Sequence, residues 1–535
     1  MNQSHIARPT RKDLMDGICS RWPGMEANTR IEEDGSALIT CDIATLRELC
    51  EWLFCENNYA FATLIVEDEE ADWLFRYIFY GDAEVGVVHV CMKQPKSNTV
   101  APSISAGVHA ADWHEREVED LFGISFEGHP RLGDFVLHEE WPEGVNPMKK
   151  DFDASKPYMH REVDPEWRPL RILEAQGAFM MPIGPVYSDY AEACQFFLET
   201  VGEDVVRTTP RIFYKFRGVE KLAENQPVER VLLMAERFSG ASAFAHSLAF
   251  CRAVEKISGL EPPPRGQLLR VLFAELERLR HHVGAIAGIC GSTALAVATS
   301  QASILEEELL RLSCIMSGHR YLFGVNRPGG ISIDVTSDQC KMLGDSVRSI
   351  ASDLKNLFDM LRLSSSFLDR IEEVGIVSTE NALSYGLVGP VARGSGIARD
   401  LRNILPYGPY KSQIACQTAL ETEGDGYARL RVLFREAEES ANIICRLSSE
   451  LPPGDVASPE FRLKAGQALG WVEAPLGAAF HWVSIGEEGA VKRYRVTPPS
   501  FMNWHGFHLA AENFAFQDFP IVMATFGLSN AECDR

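Results

Sequence analysis

Residues 236–246, "ERFSGASAFAH", place a charged pair and then small hydroxylated residues where a tight turn enters a helix. A turn of this kind could hold a metal, yet it contains no Cys. Its candidate donors are Ser239 and Ser242, on either side of Gly240. A Ser hydroxyl titrates far above neutral pH and is a poor ligand for a soft metal. Arg237 follows Glu236 at the start of the stretch, and His246 lies one helical turn beyond Ser242. A lone helical His is expected to be a satisfied core residue rather than a catalyst. Far along the chain, "FGLSNAECDR" (526–535) groups Ser529, Glu532 and Asp534. A carboxylate there could pair with Arg237 through a bidentate bond if the two segments converge.

The 13 Cys are scattered without a Cys-x-x-Cys pair, and Cys50 and Cys55 are the closest spaced. An iron–sulfur cluster takes four thiolates with at least one tight pair, so none is expected in this chain. "GICG" (288–291) contributes one Cys in a small-residue stretch, read as a packed, buried thiol. "GLVGPVARGSG" (386–396) is Gly-rich but follows no strand–turn–helix order, so it is not read as a nucleotide site.

The elements that position these residues belong to a chain of 535 residues with 46% hydrophobic content, enough for more than one core. The net charge of −23 argues against nucleic-acid binding and against docking on anionic lipid. No apolar run approaches the roughly 20 residues that span a bilayer, and "MNQSHIARPTRKDL" lacks the apolar core of a signal peptide. A cytoplasmic chain is expected, peripheral on the inner face of the cell membrane through partner subunits.

Residues 1–152 mix a helical stretch ("ATLRELCEWLFCEN") with strand-like runs ("FATLIVED", "WLFRYIFY", "EVGVVHVCM"), which predicts a small α+β domain. Residues 153–170 carry three prolines and read as a linker. From 171 to 535, strand-like openings, including "RIFYKFRGVEK" (211–221), lead into helical patterns at 242–258, 265–285, 298–320, 338–372 and 423–450. In "QLLRVLFAELERLRHHV", Leu268, Leu269, Val271, Leu272, Leu276 and Leu279 recur at helical spacing. A helical bundle with appended strands is expected. The tail after Tyr494 reads as strand and loop. The fold class is thus α+β, a small α+β domain followed by a mainly helical one.

"WHEREVEDLFGISFEGHPRL" (113–132) with "KKDF" (149–152) resembles the 30-kDa subunit family of complex I and complex-I-like hydrogenases. Its helix is expected to end at Gly123, with "GHPRL" as an exposed turn. The second part resembles the 49-kDa subunit of complex I and the large subunit of group 4 nickel–iron hydrogenases. The motifs are "IGPVYSDYAEA" (183–193), "RGVEK" (217–221), the 236–256 stretch, "PPPRGQLLRVLFAELERLRHH" (262–282), "RPGGISID" (327–334), "LSYGLVGPVARGSGIARDLR" (383–402), "GWVEAPLGA" (470–478) and "RYRVTPPSF" (493–501). Both parts in one chain are similar to the fused large subunit of formate-hydrogenlyase-type complexes.

The resemblance implies a chain at the junction of a cytoplasmic arm and a membrane arm. A small partner subunit would bring a 4Fe–4S cluster to a cavity, and antiporter-like and other membrane subunits would move ions. A dehydrogenase module would handle NAD, and this chain itself would bind no metal or cofactor. The family's four nickel-ligating thiolates fall at Ser239, Ser242, Ser529 and Glu532, so no nickel–iron site is expected. The sequence ends at Arg535 directly after that motif, the form expected without nickel-dependent trimming.

The quinone branch instead uses a His, a Tyr and an Asp, which fall at Ala191, Gly240 and near Ser292. "GWVEAPLGA" carries Leu476 and Ala478 where the family has Arg and an acidic residue. His281 and His282 stand where the family has one His, and packing is the favoured reading. Tyr187, Tyr190, Arg237, Ser239, Gly240, Ser242, Ser529 and Glu532 are expected to line the cavity. Glu192 matches an acidic proton-transfer position of the hydrogenases, and a raised pKa would suit it for proton relay. An exposed strand-end carboxylate is an equal reading. The expected role is an oxidoreductase subunit passing electrons toward a quinone. A structural coupling subunit without a redox site is the alternative, and a hydrogen-evolving nickel–iron enzyme is disfavoured by the missing thiolates.

Overall fold

The runs read as strands near the N-terminus are apolar on both faces, and both faces are covered. Ala60–Asp68, Asp72–Tyr80 and Val87–Pro95 are almost wholly buried, which explains why they read as continuous rather than alternating apolar runs. The computed structural model describes residues 10–32, 34–162, 173–174, 176–186, 192–459 and 462–535. These divide into two compact units. One holds the described residues up to 162 with 404–406, and the other holds the rest.

In the first unit, a five-stranded sheet runs in the order Thr29–Ile31, Ala37–Cys41, Val87–Pro95, Asp72–Tyr80, Ala60–Asp68. All its pairings are antiparallel except that of Ala37–Cys41 with Val87–Pro95. The "ATLRELCEWLFCEN" pattern gives helix Ile43–Glu51, capped by Asp42, and a π turn over Trp52–Glu56. Helix Asp112–Phe122 ends at Gly123, which adopts φ 68°. A Cβ at Gly123 would also meet the Asn146 amide at 2.3 Å, so both conformation and space require glycine.

This "charged" helix is largely interior. His114, Glu115 and Glu117 are buried, and His114 packs edge-on against Phe61. The Glu115 carboxylate accepts Ser103 Oγ at 2.6 Å and the Ile104 N–H at 2.8 Å. In "GHPRL" the backbone is mostly exposed, but the His129 ring is buried. Residues 153–162 are tied to this same unit. Arg161 bonds Asp134 and the Glu139 carbonyl, and Tyr158 stacks on Phe152. Residues 163–172 lie outside the described residues.

The second unit is built on four long helices, Pro264–Ser292, Ala296–Ser317, Ser337–Leu361 and Gly426–Glu450, which pack on one another. The Leu and Val residues at helical spacing in 268–279 are all buried. Helix Ala243–Ser258 lies on a three-stranded sheet of Gly466–Ala474, Gly477–Ile485 and Val491–Thr497. Gly470 allows that approach, since a Cβ there would come within 2.0 Å of the Ala249 carbonyl oxygen. A second antiparallel sheet joins Ala178–Ile183, Gln195–Val201, Asp204–Arg211 and Phe514–Ala515.

Three sequence readings are corrected. The 338–372 pattern is two helices, Ser337–Leu361 and Ser365–Ile371, separated at 362–364. "RIFYKFRGVEK" contributes only Arg211 to a strand and otherwise turns into helix Val219–Leu222. The tail is chiefly helical after strand Val491–Thr497, with helices Pro499–Ala510, Phe519–Phe526 and Asn530–Cys533. Its aromatic residues are those of a helix buried all round. Trp504 and Phe507 pack on Phe196, which also meets Phe519 edge-on.

Burial pushes the Glu115 carboxyl up to about 8, and the Ser103 and Ile104 hydrogen bonds offset only part of that rise. The folded chain therefore retains a proton that the unfolded chain loses near its ordinary value of 4.5. This contribution to stability is present below that value, is lost as pH rises toward 8, and is flat above. Its slope is at most about 1.4 kcal/mol per pH unit. Glu115→Gln is expected to remove this slope from urea-unfolding free energies measured between pH 5 and 8. An unchanged slope in the variant would show that Glu115 is ionised in the folded chain.

Candidate functional site

Helix Pro264–Ser292 supplies the frame. On one face, Glu275, Arg278 and His282 join Arg393, Asp400, Arg402, Glu436 and Glu473 in a fully buried charge network. Arg402 bonds Glu275 at 3.0 Å and Asp400 at 2.7 Å, and Arg278 reaches Glu275 at 3.2 Å. Arg393 bridges Glu436 at 2.5 Å and Glu473 at 2.8 Å, and His282 Nε2 lies 2.9 Å from Glu436. Burial alone would raise Glu275 and Glu436. The neighbouring guanidiniums, with His282 at Glu436, outweigh it and hold both near 2.

On another face of the same helix, Glu277 and Arg280 clamp the Ser239–Ser242 turn. The Glu277 carboxylate accepts the Phe244 and Ala245 N–H groups at 2.7 and 2.9 Å, capping helix Ala243–Ser258 from outside. Arg280 donates to the carbonyls of Gly240 and Ala241 at 3.3 and 3.0 Å. Glu236 accepts the Gly324 N–H at 2.6 Å. The turn is thus held by residues the sequence reading passed over.

Its hydroxyls meet the C-terminal segment. Ser242 Oγ donates to Glu532 Oε1 at 2.9 Å, across 290 positions of sequence. Glu532 Oε2 accepts the Ser500 N–H at 3.1 Å. Ser529 caps helix Asn530–Cys533 by accepting the Glu532 N–H, and Ser500 Oγ accepts the Ser529 N–H. Ser239 is buried, its Oγ accepting the Ala241 N–H at 3.3 Å. Gly240 is exposed, and a Cβ there would meet no atom within 4 Å.

Behind Glu532 runs a line of buried side chains. His246 Nε2 lies 3.4 Å from Glu532, His246 Nδ1 lies 2.9 Å from His481 Nε2, and His481 Nδ1 lies 2.8 Å from the Tyr494 hydroxyl. One set of tautomers satisfies every link. Tyr494 donates to His481, His481 to His246, and His246 to Glu532. Burial, then the neighbouring His246, pushes His481 well down, and burial pushes the Tyr494 phenol well up. Burial would raise Glu532. Its interactions with His246, Ser500 and Ser242 outweigh that and hold the carboxyl below its usual range.

Expectation and structure differ at several residues. His246 is a buried, satisfied core residue as expected, and its partners in this line are His481 and Glu532. His481, Tyr494 and Ser500 were missed, because nothing local in the sequence ties them to residue 532. Arg237 does not pair with Glu532 or Asp534. It is largely exposed, lies 3.5 Å from Glu236 and stacks over Phe323. Arg217 reaches the same segment through its backbone instead, donating to the Asp534 carbonyl at 3.1 Å and the Ala531 carbonyl at 2.7 Å.

Glu192 is half-buried beside this segment. Burial raises its carboxyl, countered by the Ala531 N–H, Arg217 and Lys215. Asp534 is raised to about 7, again chiefly by burial. Tyr187, Tyr190 and Ala191 lie outside the described residues. Cys290 of "GICG" is a fully buried thiol within a helix.

Residues 39–158 match the family model of the respiratory-chain NADH dehydrogenase 30 Kd subunit. Residues 301–465 and 455–535 match that of the 49 Kd subunit. The two matched segments follow one another in a single polypeptide, a 30 Kd-subunit-like part and then a 49 Kd-subunit-like part. It is similar to formate hydrogenlyase subunit 5 of Escherichia coli strain K12, 27% identical over 96% of this chain and 91% of that protein. It is similar to hydrogenase-4 component G of the same strain, 26% identical over 98% and 92%. The NADH-quinone oxidoreductase C/D subunit of Bdellovibrio bacteriovorus is 28% identical over 79% and 81%.

The hydrogenase relatives raise the question of a nickel–iron centre, and the residues here do not fit one. The donors at the four positions are three hydroxyls and a carboxylate rather than soft thiolates. Ser242 and Glu532 already bond each other, and the second carboxylate oxygen is taken by Ser500. Metal analysis of the purified chain is expected to find no stoichiometric nickel, and one nickel per chain would overturn this reading. Glu532→Ala strands Ser242, His246 and the Ser500 N–H in the interior. It is expected to cost about 3–5 kcal/mol in denaturant unfolding, and Glu532→Gln distinctly less. Wild-type stability in the Ala variant would show that the carboxylate does not hold the two ends together.

Proposed function

We propose that this chain is a peripheral subunit of a membrane-associated, complex-I-like oxidoreductase. Residues 171–535 form the wall of the cavity where electrons from a 4Fe–4S cluster in a small partner subunit reach a quinone. Residues 1–152, joined by 153–170, form the second family-type domain. Antiporter-like membrane subunits carry the ion movement that the redox step drives, and NAD is handled by a partner dehydrogenase module. Among the described residues no helix is long and apolar enough to cross a membrane, so the membrane attachment runs through partners.

The observation that carries this reading is the buried line from Tyr494 through His481 and His246 to Glu532 and Ser242. Reduction of a quinone to a quinol takes up two electrons and two protons. The His and Tyr of the quinone branch have no counterparts at Ala191 and Gly240. A continuous hydrogen-bonded line ending at the turn offers another way to deliver protons. Glu192 and Asp534, both raised by burial, stand where a second carboxyl could exchange protons with the same segment. At Gly240 the backbone is open, so a ligand or a partner can approach the turn closely.

A second reading, a coupling subunit with no redox site, draws support from the Ser242–Glu532 hydrogen bond. That bond closes the two ends directly. Quinone-analogue binding to the assembled complex separates the two. The redox reading expects an analogue to bind and to inhibit electron transfer. It also expects Glu192→Gln to slow quinone reduction on the order of 10²-fold while analogue affinity persists. Absence of any analogue binding would leave the coupling role.

A further inference from the structure

Away from this site, a groove of about 450 Å³ lies between helices Ala243–Ser258 and Pro264–Ser292 and the turn at 407–411. Its walls are apolar and aromatic, with Leu248, Leu260, Val271, Pro409, Tyr407 and Tyr410 among them. Its volume falls within the range of small-molecule sites, roughly 300–1,000 Å³.

The cations of this groove differ in one respect. Arg270 is committed to Glu255 at 2.6 Å and to the carbonyls of Arg327 and Gly330. Lys256 donates to the Leu469 carbonyl and sits 3.6 Å over the Trp471 ring. Arg252 makes no hydrogen bond and no ion pair with any described residue. Its guanidinium lies 4.5 Å over Tyr407 and 5.6 Å from Trp471, and its Nε is buried without a partner. A half-buried cation with no ion-pair partner is costly, and two aromatic faces offset only part of that cost. Burial accordingly pulls Arg252 down to about 10, with Tyr407 and Glu255 giving partial relief.

With its ring-facing surfaces occupied, the guanidinium has its N–H edge left for recognition. That edge suits a planar, two-oxygen anion. The groove beside it suits an apolar body. The two anionic side chains of the lining, Glu255 and Glu261, face four cationic ones, Arg252, Lys256, Arg270 and Lys411. In a chain of net charge −23 this is a local reversal of sign.

We propose that this groove binds an amphipathic organic carboxylate, its head on Arg252 and its apolar body against Tyr407, Leu260 and Pro409. The walls that hold it are tied to the interior. The Tyr407 hydroxyl accepts the Glu473 N–H at 3.1 Å, and the Tyr410 hydroxyl donates to Glu275, so the site is anchored on the buried charge network.

Isothermal titration of the full chain with octanoate, octanol and inorganic phosphate tests this. Octanoate is expected to bind saturably at one site per chain. Octanol and phosphate, each carrying only half of the recognition, are expected to bind at least tenfold more weakly. Arg252→Met, with folding checked by circular dichroism, is expected to weaken octanoate at least tenfold. Leu260→Trp, which adds bulk to the lining and leaves the cation in place, is expected to weaken it as well. Non-saturable uptake, octanol binding as tightly as octanoate, or unchanged affinity in both variants would overturn the proposal.

Discussion

The second unit is organised around eight ionisable side chains buried away from bulk solvent. Four carboxylates, Glu275, Asp400, Glu436 and Glu473, meet three guanidiniums, Arg278, Arg393 and Arg402, and one imidazole, His282. Such groups gain little over an apolar core, but the loss of one partner strands another. They are therefore a demand for register. Helices 264–292 and 426–450, the 389–402 segment and the strand carrying Glu473 must all sit where the geometry closes. The carboxylates outnumber the guanidiniums by one. The excess falls on Glu473, whose carboxyl burial pushes up against the pull of Arg393, with the Asp400 charge adding to the rise.

That rigidity gives the Ser239–Ser242 turn a fixed place to stand. A metal bridging two distant segments would tie them through its own coordination bonds. Here the tie is made of hydrogen bonds between Ser242, Glu532, Ser500 and Ser529. Arg217 holds the carbonyls on the far side of the same segment. The side chain of Arg535 is buried and donates to the Val496 carbonyl, so the last residues are packed as an interior element. A carboxylate at 532 with two oxygens and three donors fits this arrangement, whereas a thiolate there could not satisfy as many partners.

Much of this was legible from residue patterns. The long helices followed from apolar spacing, and the Gly123 stop followed from its position after "EDLF". The convergence of 242 with 532 was implied by the family resemblance, since no local pattern links positions 290 apart. The helical tail was misread because helices buried on all sides carry no amphipathic stripe. "SFMNWHGFHLA" and "FPIVMATF" offer apolar residues at every angle. His246 was read as a satisfied core residue, and it is one, but no local pattern named its partners. What distinguishes it is His481, which a hairpin strand brings to it from 235 positions away. Arg252 carried no signal at all, since its two aromatic neighbours, Tyr407 and Trp471, come from two separate distant segments.

The stretch "ELERLRHH" shows how one helix serves both ends of this design. Glu275, Arg278 and His282 follow i, i+3, i+7 spacing and share the face that meets the charge network. Glu277 and Arg280, also three apart, point away from them and clamp the turn at 240–245. Their roles differ in charge as well as place. Glu275 is held ionised near 2 by two guanidiniums, whereas Glu277 is raised to about 7 by burial, with only Arg280, Arg278 and two N–H groups to lower it. The first carboxylate is fixed in one state. The second, which caps the helix bearing His246, sits where a single proton changes how strongly that cap is held. The helix therefore joins a face where Glu275 is held ionised to one where burial raises Glu277, and the turn at Ser239–Ser242 rests on the second.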